Sequence, residues 1–215
     1  IYPVVRHITY DGSRFRVPEQ VNVVFETDID TATRNYLLEV LEENGIRSET
    51  ASQPVEDQWN ILLGVDGSGE SADNYEDTLT LATEDLYGNY DGYLLEAKKN
   101  QITILGADTD GAFCGVATLK MMLSTFGDRQ LLGARIEDYA GIEYRGFVEG
   151  FYGGWDYETR GELMEFARDV KMNMYVYASK TDRYHTSAWN ELYPADQLVQ
   201  IGELVKIGQA TKCYY

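Results

Sequence analysis

Between Tyr144 and Tyr215 the chain alternates short β-rich runs with amphipathic helices, the pattern that most restricts what it can fold into. Tyr144 to Val148 reads as a strand. Glu158 to about Lys171 follows as a helix with an apolar stripe of Leu163, Phe166, Ala167 and Val170, and with Thr159 and Glu162 at capping-box spacing. Asn173 to Ala178 is a second strand, and a polar loop runs from Ser179 to Tyr193. Beyond Pro194 a second helix carries Leu198, Ile201, Leu204 and Val205, and Lys212 to Tyr215 begins a third strand. Repeated βα units require crossover connections and hence a parallel sheet. These residues predict about three units of a (β/α)8 barrel, left incomplete at Tyr215.

The upstream sequence has a different texture. Val4 to Tyr10, Asn22 to Glu26 and Asn60 to Val65 are strand-like, and Thr31 to Asn44 is a helix with Ala32, Tyr36, Leu37, Val40 and Leu41 on one face and Gly45 as its stop. Tyr93 to Lys98 and Gln101 to Ala107 form a hairpin through Lys99 and Asn100, and Asn tolerates the left-handed conformation such a turn needs. Ala112, Val116, Leu119 and Leu123 mark a second helix. The predicted fold class is therefore α/β with α+β: a small α+β domain over residues 1–138, helices against one sheet, then a truncated barrel over residues 139–215. Arg135 to Gly141 reads as the short connection, across which the two parts are expected to pack directly.

Composition narrows the chemistry. Among 215 residues there are 36 acids and 18 bases, spread along the chain, for a net charge of −18. Such a surface repels phosphates, so nucleic acid is disfavoured as a partner. No run approaches the roughly 18 apolar residues that cross a bilayer, and the first residues do not resemble a signal peptide. Cys114 and Cys213 fall in different predicted domains and read as buried free thiols. With only His7 and His185, a histidine-rich metal site is not expected, nor is a cofactor; both histidines read as structural. Gly67-Ser68-Gly69 with Ala72 formally fits a dinucleotide fingerprint, but the residues that follow are acidic and offer no apolar helix, so a solvated loop is expected.

At the C-terminal ends of the barrel strands, where barrel enzymes keep their chemistry, several residues qualify as functional. Glu149 reads as an acid or base, or as a carboxylate paired with Arg145 or a backbone amide. Lys180 reads as a donor to a sugar hydroxyl or carboxylate, or as a solvated lysine. Tyr152, Trp155 and Trp189 read as sugar-stacking rings or as cover for the barrel top.

Two stretches carry a resemblance. Arg145-Gly146-Phe147-Val148-Glu149-Gly150-Phe151-Tyr152-Gly153, then Trp155, and later Tyr177-Ala178-Ser179-Lys180-Thr181-Asp182-Arg183-Tyr184-His185, resemble the start of the catalytic barrel of glycoside hydrolase family 84. That family holds β-N-acetylglucosaminidases that remove O-linked N-acetylglucosamine, and bacterial members often named hyaluronidases. Gly92 to Glu96 and Gly111 to Leu119 resemble the α+β domain that precedes the barrel there and in family 20 hexosaminidases.

The resemblance implies that the Gly150 carbonyl and the Lys180 amine hold hydroxyls of a terminal sugar, with Tyr152 close by and Glu149 and Asp182 supporting the pocket. It implies retaining, substrate-assisted hydrolysis, in which the sugar's acetamide oxygen attacks the anomeric carbon to give an oxazoline. Two adjacent aspartates after a fourth strand would orient the acetamide and act as acid and base. They are expected beyond residue 215, so no catalytic residue is assigned within this chain and the chain alone is expected to be inactive. The expected partner is a glycan containing N-acetylglucosamine, the expected location extracellular or cell-surface, and the unfinished barrel is expected to self-associate. Ser179, Thr181 and the proline-free Gly153-Gly154-Trp155 depart from the family pattern. A non-catalytic glycan-binding or interaction module is the competing class, and a family 20-type hexosaminidase, poorly matched at the Lys180 loop, a third reading.

Overall fold

The computed structural model describes residues 1–69 and 78–215 and divides them into two units, Ile1–Glu143 and Tyr144–Tyr215. The first unit is built on a seven-stranded mixed sheet. Its strands are β1 (His7–Arg16), β2 (Gln20–Phe25), β3 (Arg47–Ala51), β4 (Asn60–Val65), β5 (Tyr90–Lys98), β6 (Gln101–Gly106) and β7 (Gln130–Ala140), in the spatial order β1-β7-β5-β6-β4-β2-β3. β3, β2, β4 and β6 run parallel, whereas β5, β7 and β1 pair antiparallel. Helix α1 (Thr31–Glu43) is capped by Asp30, a one-turn helix α2 spans Thr83–Leu86, and α3 (Thr109–Phe126) is capped by Asp108. Tyr36, Leu37 and Val40 of α1 and Val116, Leu119 and Leu123 of α3 join Leu95, Ile104 and Ile136 in one buried cluster. Asn100 adopts φ 74°, as the hairpin requires.

Three sequence expectations are corrected in this unit. Arg135 to Gly141 is not a connection: through Ala140 it belongs to β7, which lies between β1 and β5. Its charges mislead because the fold satisfies them. Glu137, fully buried, accepts the backbone N–H groups of Thr80 and Leu81 and the Nε of Arg135, and Asp138 accepts the Tyr93 hydroxyl at 3.1 Å. β3, reading Arg-Ser-Glu-Thr-Ala, lacks apolar alternation and escapes a pattern search because it is a polar edge strand. The first strand runs on from Tyr10 to Arg16 through an irregularity at Gly12, whose φ is 81°.

The Gly67–Ala72 fingerprint has a local explanation as far as it is described. Glu26, just past β2, accepts from Val65 N at 3.1 Å and Ser68 Oγ at 3.2 Å, and a Cβ at Gly64 or Gly69 would collide with its carboxylate. Gly64 and Gly69 thus make room for the Glu26 carboxylate. Residues 70–77, the remainder of that motif and of the acidic stretch, lie outside the described residues.

The second unit contains β8 (Gly146–Glu149), α4 (Tyr157–Asp169), β9 (Met174–Tyr177) and α5 (Ala195–Thr211). β8 and β9 are parallel, with Gly146 opposite Met174 and Glu149 opposite Tyr177, and a parallel bridge from Met174 to Tyr214 begins the third strand. Gly146 has no alternative, since a Cβ there would overlap the Met174 carbonyl. Met164, Ala167, Tyr175, Leu204 and Cys213 form the core between strands and helices. Both cysteines are free and buried, and burial pushes the Cys213 thiol up to about 11.

The expected stripes are turned inward only in part: Ala167 and Leu204 are buried and Leu163 packs against the core, but the buried faces are centred elsewhere. α4 buries Arg160, Met164 and Ala167 while Phe166 is exposed, and α5 buries Leu204, Gly208 and Thr211 while Leu198 and Val205 are exposed. The α4 cap is Asp156, accepting from Thr159 N at 2.8 Å, in place of the Thr159/Glu162 box.

Candidate functional site

Along β8 the side chains alternate. Phe147 and Glu149 turn towards the helices, Phe147 stacking edge-on against Tyr175 at 4.8 Å, while Val148 is exposed on the opposite face. Gly150 continues the Val148 side, because a Cβ built on it would meet Val148 Cγ1 at 3.5 Å. That is ordinary contact and φ is not positive, so neither space nor backbone conformation demands glycine at 150.

Glu149 is fully buried. Arg160 grips it with two N–H groups, Nε to Oε2 at 2.8 Å and Nη2 to Oε1 at 3.0 Å. Oε1 also accepts from Trp155 N at 2.8 Å, and Oε2 accepts the Tyr175 hydroxyl. Burial by itself would raise the carboxyl's pKa. The hydrogen bonds from Arg160, Tyr175 and Trp155 outweigh it and hold Glu149 below the ordinary carboxylate value. Glu149 in turn keeps the guanidinium charged against its own burial, and the guanidinium lies over the Tyr177 ring at 4.5 Å. A carboxylate this fully satisfied and this inaccessible does not act as a general acid or base. Its partner is Arg160, not Arg145, whose Nε donates to the Lys171 carbonyl.

Asp182 repeats the arrangement in the loop after β9. It accepts from the Tyr177 hydroxyl at 2.6 Å, the Tyr193 hydroxyl at 2.8 Å and Tyr184 N at 2.8 Å. Burial opposes its ionisation, and these donors lower its pKa nonetheless. Burial together with the Asp182 contact pushes both phenols upward. Two carboxylates, Glu149 held by Arg160, Tyr175 and the Trp155 amide and Asp182 by two tyrosines and the Tyr184 amide, thus fix two neighbouring loops.

Between them lie the candidate sugar contacts. Ala178 N donates to the Glu149 carbonyl at 3.2 Å and Lys180 N to the Phe151 carbonyl at 3.1 Å, lacing the loops together. Lys180 is exposed, with its Nζ 5.6 Å from the centre of the Tyr152 ring, which is 77% exposed. Gly150, Tyr152 and Lys180 therefore share one end of the β8–β9 pair. Trp155 is half-buried against Phe147 and Phe151 and packs the barrel wall, whereas Trp189 and His185 are exposed in the Ser179–Tyr193 loop. His7 lies on β1, half-buried. Ser179 is buried with its Oγ 3.1 Å from that of Thr181, and it lines the space that Gly154 leaves open.

Arg160, Tyr175, Tyr177 and Tyr193 were not singled out by sequence reasoning. A signal existed: Arg160, Met164 and Ala167 stand at i, i+4 and i+7, so an arginine occupies the buried stripe of α4. Among the described residues no group of His, Cys, Asp and Glu is arranged to hold a metal, and no helix is long and apolar enough to cross a membrane.

Comparison with known proteins agrees with the two-unit division. Residues 1–139 match the family model described as glycosyl hydrolase family 20, domain 2, and residues 145–215 match that of β-N-acetylglucosaminidase. The solved structure of CpGH84D is 41% identical with a TM-score of 0.90, covering 100% of this chain and 36% of its own. The first unit belongs to glycosyl hydrolase family 20, domain 2, and the chain as a whole is homologous to glycoside hydrolase family 84 structures. CpGH84B, a second solved family 84 structure, is 30% identical with a TM-score of 0.82, over 99% of this chain and 35% of that one. Protein O-GlcNAcase of Rattus norvegicus is 39% identical over 61 residues, which are 28% of this chain and 7% of the rat protein. The chain thus spans about a third of these solved relatives and a small part of the rat protein. The mixed sheet followed by parallel βα units fits this family assignment.

Proposed function

We propose that this chain supplies the N-terminal domain and the sugar-holding wall of a retaining, substrate-assisted β-N-acetylglucosaminidase. The observation that carries the reading is the meeting of Lys180 and Tyr152 at 5.6 Å on loops laced by the Lys180 N to Phe151 carbonyl bond, at the end of β8 where Gly150 follows Val148. A carbonyl, an ammonium and an aromatic face suit the hydroxyls and ring of a terminal N-acetylglucosamine. In this reading Gly150 accepts from one sugar hydroxyl, Lys180 donates to another, and Tyr152 limits the ring's approach. These contacts bind and orient.

Bond cleavage belongs to the substrate's own acetamide, with an aspartate pair assisting. Residues 1–215 hold no two adjacent aspartates, so the pair is proposed to follow residue 215 and residues 1–215 to be inactive alone. The parent protein is proposed to act outside the cell or at its surface, and the open edge of the β8–β9 sheet to pair with further barrel strands or with a second copy.

Two measurements test the reading. N-acetylglucosamine added to the 215-residue chain should shift the NMR resonances of Gly150 and Lys180, while galactose at equal concentration should not. A longer product of the same reading frame should hydrolyse a chromogenic aryl β-N-acetylglucosaminide and lose that activity with Lys180→Ala. Sugar-dependent shifts without activity in the longer product would make this a binding module. No shift at either residue would remove the sugar site itself.

A further inference from the structure

We infer that the Glu149–Arg160 pair is a positioning device for the sugar-contact loop, clamping both ends of residues 149–155 so that the Gly150 carbonyl and Tyr152 ring stay facing Lys180. The inference rests on the sugar-site reading above and assigns roles to two residues that do not themselves meet sugar.

The geometry is that of a staple. The backbone of Glu149 starts the loop and its carboxylate holds Trp155 N, six residues on, at 2.8 Å. Between these points lie three glycines, one of them, Gly153, with φ 73°, so the segment has little stiffness of its own. What it lacks is supplied from outside. Arg160, anchored in α4, fixes the carboxylate through two N–H groups, and Tyr175, anchored in β9, adds a hydroxyl. The carboxylate is thereby tied to a helix and to the neighbouring strand, and the loop inherits that rigidity.

Gly154 supports the same conclusion. A Cβ at this position would collide with Glu149 Oε1, approach Ser179 Oγ to 2.9 Å and Arg160 Nη2 to 3.3 Å. The loop passes so close over the ion pair that any side chain would lift it away. At Gly150, in contrast, a Cβ would meet only an ordinary contact with Val148. Gly154 serves the clamp, a role Gly150 does not share.

The decisive test compares the intact 215-residue chain with Glu149→Gln and with Gly154→Ala, which keeps every charged group and only displaces the loop from the pair. Hydrogen exchange of the Trp155 amide and of residues 151–154 should accelerate at least tenfold in both variants. The Ala167 amide within α4 should keep its wild-type rate. N-acetylglucosamine should then shift Gly150 and Lys180 in wild type at concentrations where the variants show tenfold weaker response. Unchanged Trp155 exchange in Gly154→Ala overturns the inference, as does an equal acceleration at Trp155 and Ala167, which would mean general destabilisation. If wild type gives no sugar response, the sugar-site reading fails, while the exchange comparison still decides whether the pair orders the loop.

Discussion

Arg160 and Glu149 meet through two parallel hydrogen bonds of 2.8 and 3.0 Å, both residues buried, on the helix side of β8. Removing one partner of such a pair leaves an uncompensated charge in the core. Arg160→Met should therefore destabilise the second unit by about 3–5 kcal/mol, read from urea unfolding followed through Trp155. A loss below about 1 kcal/mol would mean that water reaches the pair and that the site is looser than described.

The same pair sets an acid limit. Glu149 and Asp182 have folded pKa values below their ordinary ones. A depressed carboxylate contributes stability that is present above its unfolded pKa, about 4.3 for Glu and 3.9 for Asp, and is lost as pH falls through the folded value. Thermal melts should be flat between pH 7 and 5 and fall steeply from about pH 4 downward. Tyr175, Tyr177 and Tyr193 shift the other way, so their contribution is complete below about pH 10 and fades at higher pH. A melting temperature unchanged at pH 3 would contradict the carboxylate assignment.

Gly146 faces the Met174 carbonyl so closely that no side chain fits. Gly146→Ala should separate β8 from β9 at a cost of about 3 kcal/mol, seen as loss of amide protection in the β8–β9 pair. Retained protection there would show that the strands can shift to admit a methyl group.

Lys180 is exposed, and its Nζ lies over the exposed Tyr152 ring, away from the buried cluster of the second unit. Lys180→Ala should change stability by no more than about 0.5 kcal/mol while abolishing the response to N-acetylglucosamine. Equal binding by the variant would transfer the sugar contact elsewhere.

In the first unit Glu137 binds two backbone amides and Arg135 while fully buried. Its pKa is lowered despite burial by the Leu81 and Thr80 amides and Arg135. Glu137→Ala should cost about 3 kcal/mol and expose Thr80 and Leu81 to exchange. Fast exchange at these amides already in wild type would show that Glu137 does not hold them.

Sequence alone determined the βα alternation after Tyr144, the Lys99–Asn100 hairpin and the two loops holding Gly150, Tyr152 and Lys180. These are local properties: a period of two or 3.6, a turn residue, a short motif. Only the tertiary structure decided that Arg135 to Ala140 is an internal strand, because its charges are silenced by Thr80, Leu81 and Tyr93, tens of residues away in sequence. It also decided the fate of Glu149. An acid at a strand end reads the same whether it meets substrate or core, and it is Arg160, eleven residues on and one helix away, that makes this one a buried anchor. Periodicity says which side of an element is apolar; which charge it will meet across the core depends on packing that no single segment contains.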